Sequence, residues 1–465
     1  MQSADVVVIG GGPGGYVCAI RAAQLGLKTI LIERDRLGGI CLISGCIPSK
    51  ALISVTKLYE KAKEGLTFGI IADGIRIDLP ALQEWKAGVV STLETGVATL
   101  CRSNKVQVIE GTAEVIDSKR VKVMTSSGTD EVMTKNLVIA TGSRAISLPG
   151  LEFDGNLILS STEALALEKL PESMLVIGGG YIGLELASVY QKLGSKITIV
   201  EVTEQLLPGT EPDLVRFPYR NLEKRGAQIL LKSKVLSIDK SGGKVKARVS
   251  TPNGEIVVEA SVALVSVGRA PLTAEMNLPG IGVKTDAKGY IVTDQRMKTS
   301  VEGVYAVGDV RGQPLLAHKA MKEGVVAAEV IAGLPSAADW KSVPWAIFTD
   351  PEIAGVGLTE KAAVEAGIQV KRSRVSFAAL GRALAAGEAE GFVRMVSDAK
   401  TGLVLGVQIV GPEASNLISE AALAIEMGAT VEDIALTIHP HPTLPEALME
   451  AAEAAAGRPI HQVKV

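Results

Sequence analysis

At 465 residues the chain exceeds what one hydrophobic core organises, and a usual domain size of about 100–200 residues suggests three or four compact units. Hydrophobic residues make up 47% but aromatics only 3%, so an aliphatic, Ala/Gly-rich core is expected, as in layered α/β sheets. A net charge of −3 without a basic stripe argues against nucleic acid or an anionic membrane as partner, and four cysteines argue against a disulfide-stapled secreted scaffold.

The first residues, Met1 to Asp5, run straight into a buried-strand pattern with no basic n-region or cleavage site. No uncharged apolar run persists as a membrane span, so a cytoplasmic protein is expected. Val6-Val7-Val8-Ile9 reads as a strand, followed by Gly10-Gly11-Gly12-Pro13-Gly14-Gly15, a helix from Tyr16 to Leu25, and a second strand, Thr29 to Ile32, delivering Glu33. The constellation recurs 168 residues later: strand Leu175 to Ile177, Gly178-Gly179-Gly180-Tyr181-Ile182-Gly183, a helix to Leu193, strand Ile197 to Val200, and Glu201. The interval from first glycine to acid is 23 residues in both copies. Each glycine run sits between strand and helix, which is the context a dinucleotide loop requires. The glycines let the backbone turn under a pyrophosphate, the helix N-terminus offers free N–H groups, and the acid accepts ribose hydroxyls. Two dinucleotide-binding units are therefore predicted. Glu201 would repel a 2′-phosphate, and Val202 and Thr203 after it supply no Arg clamp, so NAD is expected rather than NADP.

Between the repeats lies Gly38-Gly39-Ile40-Cys41-Leu42-Ile43-Ser44-Gly45-Cys46-Ile47-Pro48-Ser49-Lys50. In one regular helix the two cysteine Cα atoms would stand about 7.5 Å apart along the axis, beyond the reach of a disulfide. A bridge needs a distorted turn, for which Gly45 is suited. Pro48 is acceptable in a first helical turn, so a helix starting near Cys46 would place that sulfur at the positive end of the dipole, where a thiolate is stabilised. Spacing alone leaves open two buried, unlinked thiols. A zinc site is disfavoured, because no second Cys or His pair lies at ligand spacing. Cys18 and Cys101 read as core residues. Further on, Asp309 follows the strand-like Val304 to Gly308, so its carboxylate emerges at a strand end, where open α/β sheets bind ligands.

Taken together, the GGGPGGY run, the GG-x-C-x4-C-IPSK segment, Ala140-Thr141-Gly142, GGGYIGLE, Ser266-Val267-Gly268-Arg269, Ala306-Val307-Gly308-Asp309 and His439-Pro440-His441-Pro442-Thr443-Leu444-Pro445-Glu446 span nearly the whole chain. In these motifs the chain resembles the class I pyridine nucleotide-disulfide oxidoreductases, and most of all their dihydrolipoyl-oxidising branch. The resemblance implies an α/β fold of two Rossmann-like dinucleotide-binding domains plus a C-terminal α+β dimerisation domain. It implies an FAD-binding domain at 1–147, an NAD-binding domain at 148–272, a central domain completing the FAD site at 273–343, and an interface domain at 344–465. FAD would rest on the first repeat (Gly10, Gly12, Gly15, Glu33), with Gly111, Thr141, Gly142, Asp309 and Ala317 as further contacts. NAD would rest on the second (Gly178, Gly180, Gly183, Glu185, Glu201), with Gly268 a further cofactor contact.

By the same resemblance Cys46 faces the flavin as a charge-transfer thiolate, Cys41 exchanges with substrate, and Lys50 lies near the flavin's reactive nitrogen. His441 is the base, oriented by Glu446, and serves the cysteines of the partner subunit in an obligate homodimer; His439 reads as structural. The implied activity is oxidation of dihydrolipoamide on lipoyl domains of a 2-oxo acid dehydrogenase or glycine cleavage complex, with electrons passing to NAD. No metal is implied. The chain departs from the family's usual pattern at Ile40, Ile43, Ser44, Pro440 and Pro445, which bears on flavin contacts and the substrate channel. Glutathione-type reductases share the cysteine spacing but pair with NADP and read CVPKK. Mercuric reductases carry extra C-terminal cysteines, whereas none follows Cys101 here. A mainly docking role in a large complex stays open at this level.

Overall fold

The computed structural model describes residues 2–71, 74–274 and 276–461, so Met1 and the last four residues of the expected C-terminal domain lie outside it. The contacts divide the chain into two units, 1–171 with 264–339 and 172–263 with 340–465.

In the first unit, strand β1 (Gln2–Ile9) is buried throughout Val6, Val7, Val8 and Ile9, the continuous apolar pattern of a strand covered on both faces. After helix α1 (Pro13–Gln24), β2 (Thr29–Glu33) pairs parallel to β1, with Val6 opposite Thr29. The sheet runs Gln107–Glu110, β2, β1, Gly128–Ile139, Arg120–Thr125, Thr112–Asp117, and Val304–Ala306 also pairs parallel to Gly128–Ile139. Because Gln107–Glu110, β2, β1, Gly128–Ile139 and Val304–Ala306 form a parallel set, their C-terminal ends share one edge. That edge carries Gly10, Glu33, Gly111, Ala140 to Gly142, and Val307 to Asp309. Helix α1 packs on Ala317–Ile331, pinned by Arg21 Nη2 to Glu329 Oε1 at 2.6 Å.

Beyond β2 come two helices in succession, α2 (Gly39–Ser44) and α3 (Cys46–Lys63). Length and composition would let Gly39–Lys63 cross a bilayer, but Gly45 breaks it into two helices and α3 packs on helix Leu79–Ser103.

The second unit repeats the opening pattern. Strand β3 (Ser173–Ile177), helix α4 (Tyr181–Leu193) and strand β4 (Lys196–Val200) follow in order, β3 and β4 are parallel, and Gln228–Leu230 adds a third parallel strand. Lys234–Asp239, Val245–Thr251 and Gly254–Ala260 form an antiparallel three-stranded sheet. From 340 onward an antiparallel sheet runs Trp345–Ile347, Glu352–Gly357, Val404–Gly411, Phe392–Asp398, Val370–Ser376. Helices Ala414–Met427 and Glu446–Ala455 close over it, with Phe377, Val393, Met395, Val407, Ile409 and Leu448 in the shared core. The mixed α/β architecture expected from the sequence is the one observed.

Candidate redox site and dinucleotide loops

Both glycine runs open a helix whose N-cap is glycine with no side-chain cap, Gly12 for α1 and Gly180 for α4. A helix start without a side-chain cap is the arrangement that receives an anion. The tight turn leaves no space for a side chain at Gly15, where an added Cβ would stand 1.8 Å from the Gly10 carbonyl oxygen.

The acids brace their own loops. Glu33 Oε2 accepts the Gly11 N–H at 2.6 Å and Oε1 accepts that of Asp35 at 3.0 Å. Glu201 repeats the arrangement with Gly179 at 2.6 Å and Thr203 at 2.8 Å. An ionised carboxylate has about four acceptor positions, so two backbone bonds leave capacity for ribose hydroxyls. Helix starts without side-chain caps, a first loop too tight for a side chain at Gly15, and acids with spare acceptors fit two dinucleotides.

At the shared strand edge the Gly111 N–H bonds Glu33 O at 2.8 Å. Thr141 Oγ1 donates to Leu272 O at 2.7 Å, and the Leu272 amide returns a bond to Gly142 O. Ser143 Oγ donates to Asp309 Oδ2 at 2.5 Å and is itself gripped by Arg269, whose Nε donates to that hydroxyl and Nη2 to Ser143 O, each at 2.8 Å. Ala317 opens a third helix, Ala317–Ile331, again without a side-chain cap.

Beneath Asp309 lies a cluster that sequence reading missed. The fully buried Glu323 accepts the Gly308 N–H at 2.7 Å and pairs with Arg311 and with Lys319 at 3.1 Å. Lys319 also reaches Gly312 O at 3.0 Å, and Arg311 Nε reaches Thr293 Oγ1 at 2.9 Å. The one signal in the sequence was Lys319 and Glu323, four apart among the alanines and valines of a helix face. The buried Glu185 accepts the Phe348 N–H at 3.0 Å, and Gly268 O accepts that of Ile146 at 3.1 Å.

The cysteine segment is mounted on the first glycine loop. Gly38 donates its N–H to Gly11 O at 2.9 Å, and Gly39, at φ +59°, approaches so closely that an added Cβ would stand 2.6 Å from Gly12 Cα. Gly45 (φ −144°, ψ −110°) ends α2, and Cys46 is the first residue of α3. This is the distorted turn that the spacing demanded. Neither thiol is in a disulfide in the structure; Cys41 is half-buried and Cys46 exposed. The hydrogen bond between the thiols, then burial, pushes Cys41 far above the ordinary thiol range, while the Lys50 ammonium acts in the opposite direction. Cys18 is pushed up to about 12 by burial, and burial raises Cys101 as well, as expected of inert core thiols.

In the second unit His441 Nδ1 lies 2.7 Å from Glu446 Oε1, and Glu446 Oε2 accepts the Thr443 N–H at 2.7 Å. Burial works to raise the Glu446 carboxyl, but the bonds from Thr443 and His441 outweigh it and hold the group below its ordinary range. The His441 side chain is 78% exposed, which presents its other nitrogen outward. The remaining histidines differ: His439 is buried and bonded through both nitrogens, His461 pairs with Glu450, and His318 lies in the first turn of Ala317–Ile331.

A dithiol fixed to one dinucleotide loop, a second loop of the same build, and a histidine–carboxylate pair define a nucleotide-dependent thiol redox protein. The chain belongs to the pyridine nucleotide-disulphide oxidoreductase family: residues 4–324 match that family and residues 343–452 match its dimerisation domain. It uses FAD and NAD, and its dimerisation domain supports a homodimer. Among its relatives, dihydrolipoyl dehydrogenase 2 of Haloarcula marismortui is 48% identical, covering 98% of each chain. The dihydrolipoyl dehydrogenase of Geobacillus stearothermophilus is 47% identical over 98% of this chain and 97% of its own. Of solved structures, LpdA from Mycobacterium tuberculosis is similar with a TM-score of 0.91 at 29% identity, covering 98% of this chain and 99% of that one.

Proposed function

We propose that this chain is a cytoplasmic enzyme that reoxidises dihydrolipoyl groups with NAD, its substrates being the lipoyl domains of a 2-oxo acid dehydrogenase or glycine cleavage complex. The observation that carries the reading is the placement of Cys41 and Cys46 on the first glycine loop; full-length relatives named dihydrolipoyl dehydrogenase support the choice of substrate. The chain is assigned an FAD domain at 1–147, an NAD domain at 148–272, a central domain at 273–343 and an interface domain at 344–465.

FAD, when bound, supplies a two-electron relay between the enzyme dithiol and the nicotinamide. Gly10, Gly12, Gly15 and Glu33, with Gly111, Thr141, Gly142, Asp309 and Ala317, would hold it; Gly178, Gly180, Gly183, Glu185 and Glu201 would hold NAD, with Gly268 a further cofactor contact. The turnover begins with Cys41 and Cys46 joined as a disulfide. His441 of the partner subunit takes a proton from a substrate thiol, while Glu446 fixes the ring through Nδ1 and stabilises its charged form. The substrate thiolate attacks Cys41 Sγ, a mixed disulfide forms, and Cys46 leaves as a thiolate. The second substrate sulfur then displaces Cys41, closing the lipoyl disulfide. Two electrons and two protons have passed to the enzyme, giving the dithiol state described above. The N-terminus of α3 and the Lys50 ammonium favour negative charge on the pair.

Anaerobic titration with dihydrolipoamide tests this reading. It should produce a long-wavelength thiolate–flavin absorbance that Cys46→Ser abolishes, and turnover should prefer NAD over NADP. No such band, or equal use of NADP, would refute the assignment.

A further inference from the structure

The segment that carries His441 has no backbone hydrogen bonds of its own: none joins residues 438–443 to one another among the described residues. Side chains must fix it. At its start Thr437 Oγ1 donates to Asp433 O at 2.8 Å. Near its end Thr443 donates its N–H to Glu446 Oε2 and its hydroxyl to Pro440 O, both at 2.7 Å. Between these anchors His439 turns inward. Its side chain is 4% exposed, against 78% for His441 two residues on.

His439 Nδ1 lies 2.8 Å from Thr437 O, and Nε2 lies 2.9 Å from Glu420 Oε1. A carbonyl and a carboxylate thus occupy the two ring nitrogens, one each. Neither nitrogen is left to exchange a proton with a substrate. Glu420 stands on helix Ala414–Met427, whose Leu417, Ile418, Ala421 and Ile425 are buried in the core of the second unit. The bond therefore spans 19 residues and ties a loop without internal backbone hydrogen bonds to a helix packed in the core.

We infer that His439 and Glu420 are positioning residues for the base: their bond holds the 437–443 loop so that His441 keeps its register with Glu446 and with the incoming dithiol. The inference rests on the reading of His441 as the base. Proton transfer demands hydrogen-bond geometry, and misplacement by about 1 Å can cost on the order of 100-fold. A lost anchor should act on kcat for the dithiol reaction rather than on substrate binding.

The test uses the FAD-loaded dimer with His439→Phe, His439→Asn, His439→Gln and His441→Gln. NAD-dependent oxidation of dihydrolipoamide is measured beside electron transfer from NADH to ferricyanide, which does not pass through His441, and beside flavin content. His439→Phe should lower kcat by about 10–100-fold with KM for dihydrolipoamide within about twofold. Its NADH-to-ferricyanide transfer and flavin content should stay near those of the parent. Gln, whose amide nitrogen can reach Glu420, should restore most of the rate, whereas Asn, which reaches only Thr437, should not.

A Phe variant with parental kcat, an equal loss in both reactions, or rescue by Asn but not Gln would overturn the assignment. If His441→Gln itself kept turnover, the base reading would fail and this role with it. If only His441→Gln lost turnover, the positioning role alone would fail.

Discussion

Replacing Gly39 with alanine tests whether the redox segment depends on direct backbone contact with the first glycine loop. Two costs arise at that position. At φ +59° a side chain enters the left-handed region, which costs on the order of 1–2 kcal/mol. The new Cβ would also stand 2.6 Å from Gly12 Cα and 3.3 Å from Gly12 N, backbone atoms that cannot rotate away. Ordinary contact begins at 3.4 Å, so the two segments must part by about 0.8 Å. Gly26→Ala is the matched control: φ is +84°, yet nothing lies within 4 Å of its Cβ, so it carries the backbone cost alone. Gly26→Ala should lose about 1–2 kcal/mol in denaturant unfolding, and Gly39→Ala more than that, since the contact with Gly12 adds to the backbone cost. Only Gly39→Ala should also slow the anaerobic reduction of flavin by dihydrolipoamide, by on the order of 100-fold in stopped flow, because the displaced atoms are those that align the sulfurs. A Gly39→Ala enzyme with the parental rate, or a Gly26→Ala enzyme slowed as much, would refute the argument.

Glu446→Gln should lower dihydrolipoamide turnover on the order of 100-fold, since His441 loses the charge that balances its protonated form. Its acid stability should change as well: a carboxyl held below its ordinary 4.5 stabilises the fold fully above that pH and loses the effect as pH falls through the lowered value. Parent and variant unfolding midpoints should therefore converge in acid, and a gap that persists there would contradict the linkage. Glu201→Ala should raise KM for NAD about tenfold or more and narrow the preference over NADP while flavin content holds, because Glu33 still braces the first loop; an unchanged KM would count against the acid's role. Glu323→Ala leaves Arg311 and Lys319 without their buried carboxylate, at a cost of about 3–5 kcal/mol, and frees the Gly308 N–H beneath Asp309. Purified protein should then lose flavin on gel filtration, and full retention would show that the cluster does not hold the Asp309 turn.

What the sequence made legible was local in origin. A glycine run between strand and helix, followed by an acid 23 residues on, leaves few alternatives, and the structure places Gly10, Glu33, Gly178 and Glu201 accordingly. The cysteine spacing required a broken helix, and Gly45 breaks it. The links from Ser143 to Asp309 and Arg269, by contrast, join residues 166 and 126 positions apart, and no local pattern encodes such partners. The same holds for Glu185 on the Phe348 amide and His439 on Glu420. Buried polar groups reveal that they need partners; their sequence does not reveal which ones.

The two repeats also show where the thiol chemistry comes from. In each, the carbonyl of the second glycine holds the chain that returns past the acid: Gly11 O accepts the Gly38 N–H at 2.9 Å, and Gly179 O accepts the Leu207 N–H at 2.8 Å. The acids are bonded alike, to Gly11 and Asp35 in one copy and to Gly179 and Thr203 in the other. The mount is therefore duplicated, and only what hangs from it differs. On the second, Leu206 and Leu207 turn into the core. On the first, the Gly38-Gly39 pair brings a broken helix against the loop and sets Cys41 and Cys46 beside the edge where the parallel strands end. A dinucleotide fold alone would bind its ligand at that edge and do nothing further; the segment from 38 to 50 gives it a sulfur pair with which to exchange electrons.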